Sequence, residues 1–273
     1  MFRIFLAIII LWAGAATTLY AQPESETEQQ QVAPSTSVVQ EPDYAEIIDE
    51  SVLAFAPRPE DTDLVAPAGM PLFGKWMVTP LFKRADWLGV RYKNKTLCEP
   101  VNIIIADAYA RSPEEAHARF CEAAKKAGFP SRWGHSTGYL AFIAGAFRTR
   151  LEGKKHHAFS DASWNKANNH GRIFGPVFYN GKYWFAAAFS RQNVNLLRKV
   201  RHRYVSFNEA RDKFAWAMND TTPYKVSSFI PMENALIGSE KESTGDHDGL
   251  AGSAHTGRVR LHRPAGRAPR KCA

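Results

Sequence analysis

Asn180 and Gly181 stand between two apolar-rich stretches, 174–179 and 182–190. This pair constrains the fold more than any other feature of the chain. Asn-Gly favours positive φ at both central positions of a two-residue turn, and the twist of such a turn matches that of antiparallel strands. The stretch from 174 to 190 is therefore predicted to be a β-hairpin, and the chain must contain an antiparallel sheet.

The other elements fit around it. Residues 101–106, with three consecutive isoleucines, read as a buried strand. A helix follows: Ser112 is the N-cap, Pro113 takes the first helical position and Glu115 completes a capping box. Ala116, Phe120, Ala123 and Ala127 form its inward stripe, and Gly128 ends it. A second capping box, Ser206 with Glu209, opens a helix on which Phe207, Ala210, Phe214 and Ala217 share a face. Residues 224–230 read as a strand, whereas 139–147 has neither a helical nor a strand period. Together these give an α+β fold in a single domain, a mainly antiparallel sheet with two or three packed helices.

Charge and hydropathy divide the chain into four parts. Arg3, an apolar run over 4–16 and small residues up to Ala21 have the make-up of a secretory signal, with cleavage expected after Ala21. Thr17 and Thr18 interrupt the run short of the about 20 apolar residues that a spanning helix needs. Residues 22–63 hold eleven Asp and Glu against one basic residue, Arg58. This composition predicts a largely disordered acidic tether, in which Ile47, Ile48, Val52 and Leu53 have the spacing of a short docking helix. Residues 64–257 are expected to form the basic domain, and 258–273 a basic disordered tail that contains Pro and Gly. The expected location is outside the cytoplasm, periplasmic or extracellular.

From residue 64 onward there are 33 Lys and Arg against 16 Asp and Glu. A basic body outside the cytoplasm points to an anionic envelope component, such as phospholipid headgroups at a membrane surface or lipopolysaccharide, or to a small anionic ligand. No nucleic acid is expected as a partner, because export removes the usual targets. The plainer alternative is a solvated basic surface touched by its own acidic tether. Of Cys98, Cys121 and Cys272, the first two lie on neighbouring predicted elements, and a bridge between them is compatible with export.

Candidate chemistry is concentrated between Lys154 and Arg172. His157, Asp161 and His170 are the catalytic candidates, since imidazole moves protons near neutral pH and a carboxylate can orient it. His156, Asn168, Asn169 and Arg172 are ligand-binding candidates, Arg172 as a two-donor anion clamp. Asn168 to Gly171 reads as a loop before the hairpin, where the chain turns to bring these groups together. On that reading Arg172 is partly exposed, and Arg172→Ala would abolish anion binding but spare the fold. Asp246 and His247, between Gly245 and Gly249, form a second candidate. No metal site is expected, because adjacent histidines in an extended segment face opposite ways. Nor does any motif call for a cofactor.

The order of several short motifs resembles the bacterial LssY C-terminal domain family over about residues 98–220. The motifs are Pro100-Val101-Asn102 entering a strand, a helix ending at Ala127-Gly128-Phe129, the His156-His157 pair, the hairpin, and His202 ahead of Ala210-Arg211-Asp212. The stretch from Asn168 to Pro176 departs from that pattern. The family's biochemistry is undetermined, and it occurs beside membrane phosphatase-like or transporter-like modules, so the resemblance implies an envelope context rather than a reaction. Two functions follow: a non-catalytic module that binds an anionic partner, or a hydrolase, phosphoester-directed, using the His/Asp/Arg cluster.

Overall fold

The computed structural model describes residue 53 and residues 55–136, 138–151, 156–197 and 202–256. The expected signal, most of the tether with its docking helix, and the basic tail lie outside these residues. The strands are β1 (Leu64–Val65), β2 (Phe73–Gly74), β3 (Asp86–Tyr92), β4 (Lys95–Cys98) and β5 (Ile103–Asp107). Helix α1 (Pro113–Lys126) leads to β6 (Ser131–Trp133), β7 (Ala141–Ile143), β8 (Ala146–Arg148) and β9 (His157–Ser160). Then come β10 (Asn168–Tyr179), β11 (Lys182–Val194), β12 (His202–Ser206), α2 (Asn208–Thr221), β13 (Tyr224–Pro231), β14 (Glu242–Ser243) and β15 (Leu250–Thr256). The fold is α+β and mainly antiparallel, as the sequence predicts. None of the described helices is long and apolar enough to cross a membrane.

The central sheet has eight strands in the order β13-β15-β5-β11-β10-β9-β6, with β12 pairing beside β5's place on β11. Its axis is the predicted hairpin, in which Asn180 and Gly181 both adopt positive φ. Strands alternate their side chains between faces, and both faces here are covered. Ile103, Ile105, Phe185, Phe189 and Ile173 pack with α1 and α2. Ile104, Ala106, Trp184, Ala186 and Phe174 pack with residues of the small sheet β1-β2-β7-β8. Burial on both sides explains the unbroken isoleucines of β5, which no alternating pattern could produce. The aperiodic stretch 139–147 supplies β7 and β8, two short arms of this covering sheet.

The helices begin as their sequences predict. Ser112 Oγ accepts from Glu115 N at 3.1 Å, and the Glu115 carboxylate reaches back to Arg111 N at 3.0 Å. At the second helix Ser206 Oγ accepts from Glu209 N at 2.8 Å, while the Glu209 side chain turns away to Arg191. The body starts earlier than the expected boundary at Leu64. Asp63 accepts from Trp76 Nε1 and Arg84 Nη2, both at 2.8 Å, and Leu53 and Ala56 pack on the cluster around Trp76. Cys98 and Cys121 are not joined by a disulfide, so the bridge that the sequence allows between them is not formed. Burial pushes the Cys98 thiol up to about 12, which keeps it protonated and unreactive.

The main departure is the start of β10. Asn168 to Gly171 is not a loop but the buried first third of the strand, paired with β11 from Asn168↔Gln192 onward. The chain turns earlier, between Ser160 and Asn168. Gly171 serves packing rather than turning, because a Cβ there would overlap the ring of Phe189. That ring is stacked on Phe214 of α2 at 4.1 Å and cannot withdraw. Gly171→Ala is therefore expected to lower stability by about 2–3 kcal/mol through overpacking. Urea unfolding checks this, and an unchanged midpoint would show that Phe189 has room to move.

Candidate functional site

Alternation along β10 decides which candidates meet. His170 and Arg172 point to the face away from the helices, together with Asn168. Asn169 points to the helix face, and the structure divides the expected cluster along this line. Asp161 belongs to the second group: it accepts from Asn169 N at 2.8 Å and Asn169 Nδ2 at 2.7 Å. It also accepts from Lys213 Nζ of α2 at 2.8 Å. Those donors hold its carboxyl below the usual range against the opposing effect of burial, which is the largest single influence. Asp161 thus ties the turn before β10 to α2 and does not orient His170.

The group around His170 is a directed chain of hydrogen bonds. Asn168 Nδ2 donates to the carbonyls of Ser163 and Lys166 at 3.2 and 2.9 Å, which turns its Oδ1 toward His170 Nδ1 at 2.9 Å. His170 therefore carries its proton on Nδ1 and leaves Nε2 bare. Trp87 Nε1 can only donate, and it does so to Ser190 Oγ at 3.0 Å. The Ser190 hydroxyl is left to donate to His170 Nε2, at 3.5 Å. Burial, then the charges of His135, Arg172 and His202, push His170 well below the usual imidazole range. The carboxylate that the sequence offers to orient His170 does not do so, because Asp161 is bound to Asn169 and Lys213.

Arg172 is the second centre of the group, and it is 3% exposed. Its Nη1 donates to Glu99 Oε2 at 3.4 Å, its Nη2 donates to Ser136 Oγ at 2.6 Å, and its guanidinium lies 4.9 Å from the Tyr139 ring centre. Glu99 is equally buried, and desolvation lifts its carboxyl to about 7 despite the arginine. His135 stacks on His170 with ring centres 4.7 Å apart, and its own value falls to about 3, chiefly through burial. The expected exposed clamp is thus an interior ion pair, because β10 continues through the position where the sequence places a loop.

The remaining candidates stand apart. His156 has positive φ, and its carbonyl accepts from Gly134 N at 2.8 Å and His135 N at 3.0 Å, fixing the loop that carries His135. His157 opens β9, half-buried, with Nδ1 3.0 Å from Ser131 Oγ on β6. Asp246 accepts from the Tyr204 and Ser206 hydroxyls and from Phe207 N, bracing the entry to α2. His247 is buried with Nε2 2.7 Å from Asn234 Oδ1, and burial lowers it to about 4. Among the described residues no three His, Cys, Asp or Glu gather as a metal site.

Glu99, His135, Ser136 and Trp87 are the members that sequence reasoning missed. Glu99 left a readable signal, a single carboxylate between apolar stretches, which is the pattern of a buried pair. His135, between Gly134 and the loop leading to Gly138, offered none that sets it apart from a surface turn. Chemically, Ser190, His170 and Asn168 follow the order nucleophile, base, orienter. Yet Ser190 is 1% exposed and its oxygen already has two partners, so a substrate atom has no place beside it. Comparison with known proteins gives no match to a family model, a curated protein or a solved structure.

Proposed function

We propose that this chain is an exported, envelope-associated binding module for an anionic partner, with the His170–Arg172 network as an internal brace. The reading is supported by where the charges lie. From residue 64 onward 33 basic residues face 16 acidic ones, and nine of the acids are already held in ion pairs. Examples are Glu99 with Arg172, Asp107 with Arg119 and Asp248 with Arg211. The surplus of positive over negative groups from residue 64 onward attracts anions, whether in solvent or on a partner. The order Ser190, His170, Asn168 favours the hydrolase alternative, and the burial of all three weighs against it.

The full chain should be retained on a heparin column and should pellet with phosphatidylglycerol vesicles. It should not pellet with phosphatidylcholine vesicles, and both anionic interactions should fade as salt rises from about 0.05 to about 0.5 M. Failure to bind either anionic probe at low salt would refute this reading.

A further inference from the structure

The tryptophans of this chain divide by what the ring N–H does. Trp76, Trp87 and Trp184 are buried, and each donates to a protein acceptor: Asp63, Ser190 and the Tyr179 carbonyl, at 2.8, 3.0 and 2.9 Å. Trp133 and Trp164 donate to none of the described residues, and Trp133 is 60% exposed. The two stand together, with ring centres 6.3 Å apart and planes at 84°. Beyond Trp164 comes His202, at 6.2 Å and tilted by 32°. Three rings thus form one strip at the edge of the central sheet, where β6 is the last strand.

Both indoles are held in place. Trp164 lies on Gly134, where a Cβ would come within 2.2 Å of its ring, so only glycine leaves room for it. Its turn is tied to Asn168 through the carbonyls of Ser163 and Lys166, and the Gly134 loop is tied by the His156 carbonyl. Trp133 ends β6 opposite His157 of β9, so those two side chains share a face. A fixed aromatic strip in contact with water adds little to the core, and such patches mark binding surfaces.

The groups around the strip select its ligand. Asn165 and Lys166 are exposed beside Trp164. Asn165 Oδ1 accepts from Ser163 Oγ at 2.9 Å, which leaves its amide N–H groups to donate outward. Asp161, the acid of the same turn, is engaged by Lys213 and Asn169. Donors and a cation beside open rings repel a cationic guest and suit a sugar. The C–H face of a pyranose packs on the negative face of an indole, its hydroxyls accept from N–H groups, and an acidic substituent meets Lys166. A bilayer fits less well, because an interfacial ring must stand beyond the polar groups around it. Here Asn165, Lys166 and Ala167 are exposed, and Trp164 beside them is half-buried. Resting on the anionic-binding reading, we propose that the Trp133–Trp164–His202 strip binds an acidic polysaccharide. A sugar ring stacks on Trp133, and its acidic groups lie toward Lys166.

The test uses the full chain, with hyaluronan and heparin octasaccharides as sugar probes and phosphatidylglycerol vesicles as a probe of charge alone. On addition of the octasaccharides, the indole N–H signals of Trp133 and Trp164 should shift in NMR spectra, while those of Trp87 and Trp184 stay in place. Trp133→Ala, shown to be folded by circular dichroism, should weaken octasaccharide binding by about 10-fold and leave vesicle pelleting unchanged. Trp133→Tyr restores a ring and should recover most of that loss. Octasaccharide binding that moves neither indole signal, or that survives Trp133→Ala undiminished, would overturn the strip as the site. A full chain that pellets with vesicles but binds neither octasaccharide would overturn the proposal and leave the anionic reading standing. Oligothymidylate binding that falls with Trp133→Ala while octasaccharide binding does not would replace the sugar by a stacked base. A full chain that binds none of these probes would overturn the reading on which the proposal rests.

Discussion

Arg172→Ala is expected to cost about 3–5 kcal/mol of folding free energy, measured by urea unfolding at neutral pH. The substitution leaves Glu99, 2% exposed, in a space emptied of its counter-charge, and frees Ser136 and the face of Tyr139. Glu99 escapes part of the penalty by taking up a proton, which its value of about 7 already brings near. The cost comes from the stranded partner rather than from the attraction of the pair. A double replacement, Arg172→Met with Glu99→Leu, should therefore recover most of the stability that the single change loses. A loss below about 1 kcal/mol from Arg172→Ala would mean that the interior pair is not made.

Stability should also fall as the pH drops from about 6.5 toward 4. His135 at about 3, His247 at about 4 and His170 well below the usual range are all depressed in the folded chain. A depressed base contributes stability that is complete above its unfolded value, near 6.5, and is lost as pH falls toward the folded value. At about 1.4 kcal/mol per unit, His247 alone contributes about 3 kcal/mol. His247 Nε2 donates to Asn234, whose own Nδ2 is held by the carbonyls of Lys75 and Val101, so protonation must occur at Nδ1. That nitrogen has no hydrogen-bond partner among the described residues.

Glu99 acts with the opposite sign. Its folded value is raised, so its contribution is present below about 4.5 and is lost as pH rises through about 7. Three histidines outweigh one carboxylate, and the net expectation is a loss of about 3 kcal/mol or more between pH 6.5 and 4. Unfolding midpoints at several pH values provide the measurement. His247→Gln, which keeps an N–H for Asn234, should flatten the curve on its acid side. Stability that stays level or rises as pH falls through this window would contradict the assignment.

These two expectations show what was legible in the sequence. Signals that act within a few residues are legible there. The Asn180-Gly181 turn, the caps at Ser112 and Ser206 and the stripe of Ala116, Phe120 and Ala123 depend on neighbours in the chain. The start of β10 depends on distant residues. Asn168, Asn169 and Gly171 are poor strand formers taken alone, and they sit in a buried strand because Ser163 O, Lys166 O, Asp161 and the ring of Phe189 supply what each needs. Once that boundary moves, strand alternation separates Asp161 from His170 and buries Arg172. The partners found instead, His135 and Ser190 at His170 and Glu99 at Arg172, are 35, 20 and 73 positions away in the chain, beyond any local pattern.

The position of β15 bears on when this chain can fold. Although it follows every other strand in sequence, it lies inside the sheet, antiparallel to β13 and parallel to β5. Until residues 250–256 arrive, β13 has no strand to join and β5 has a bare edge lined with isoleucine. A chain made from its N-terminus would thus have its hairpin ready while its sheet is still open. Closure waits for residues 250–256. A product cut short before Leu250 would be left exposed to proteases.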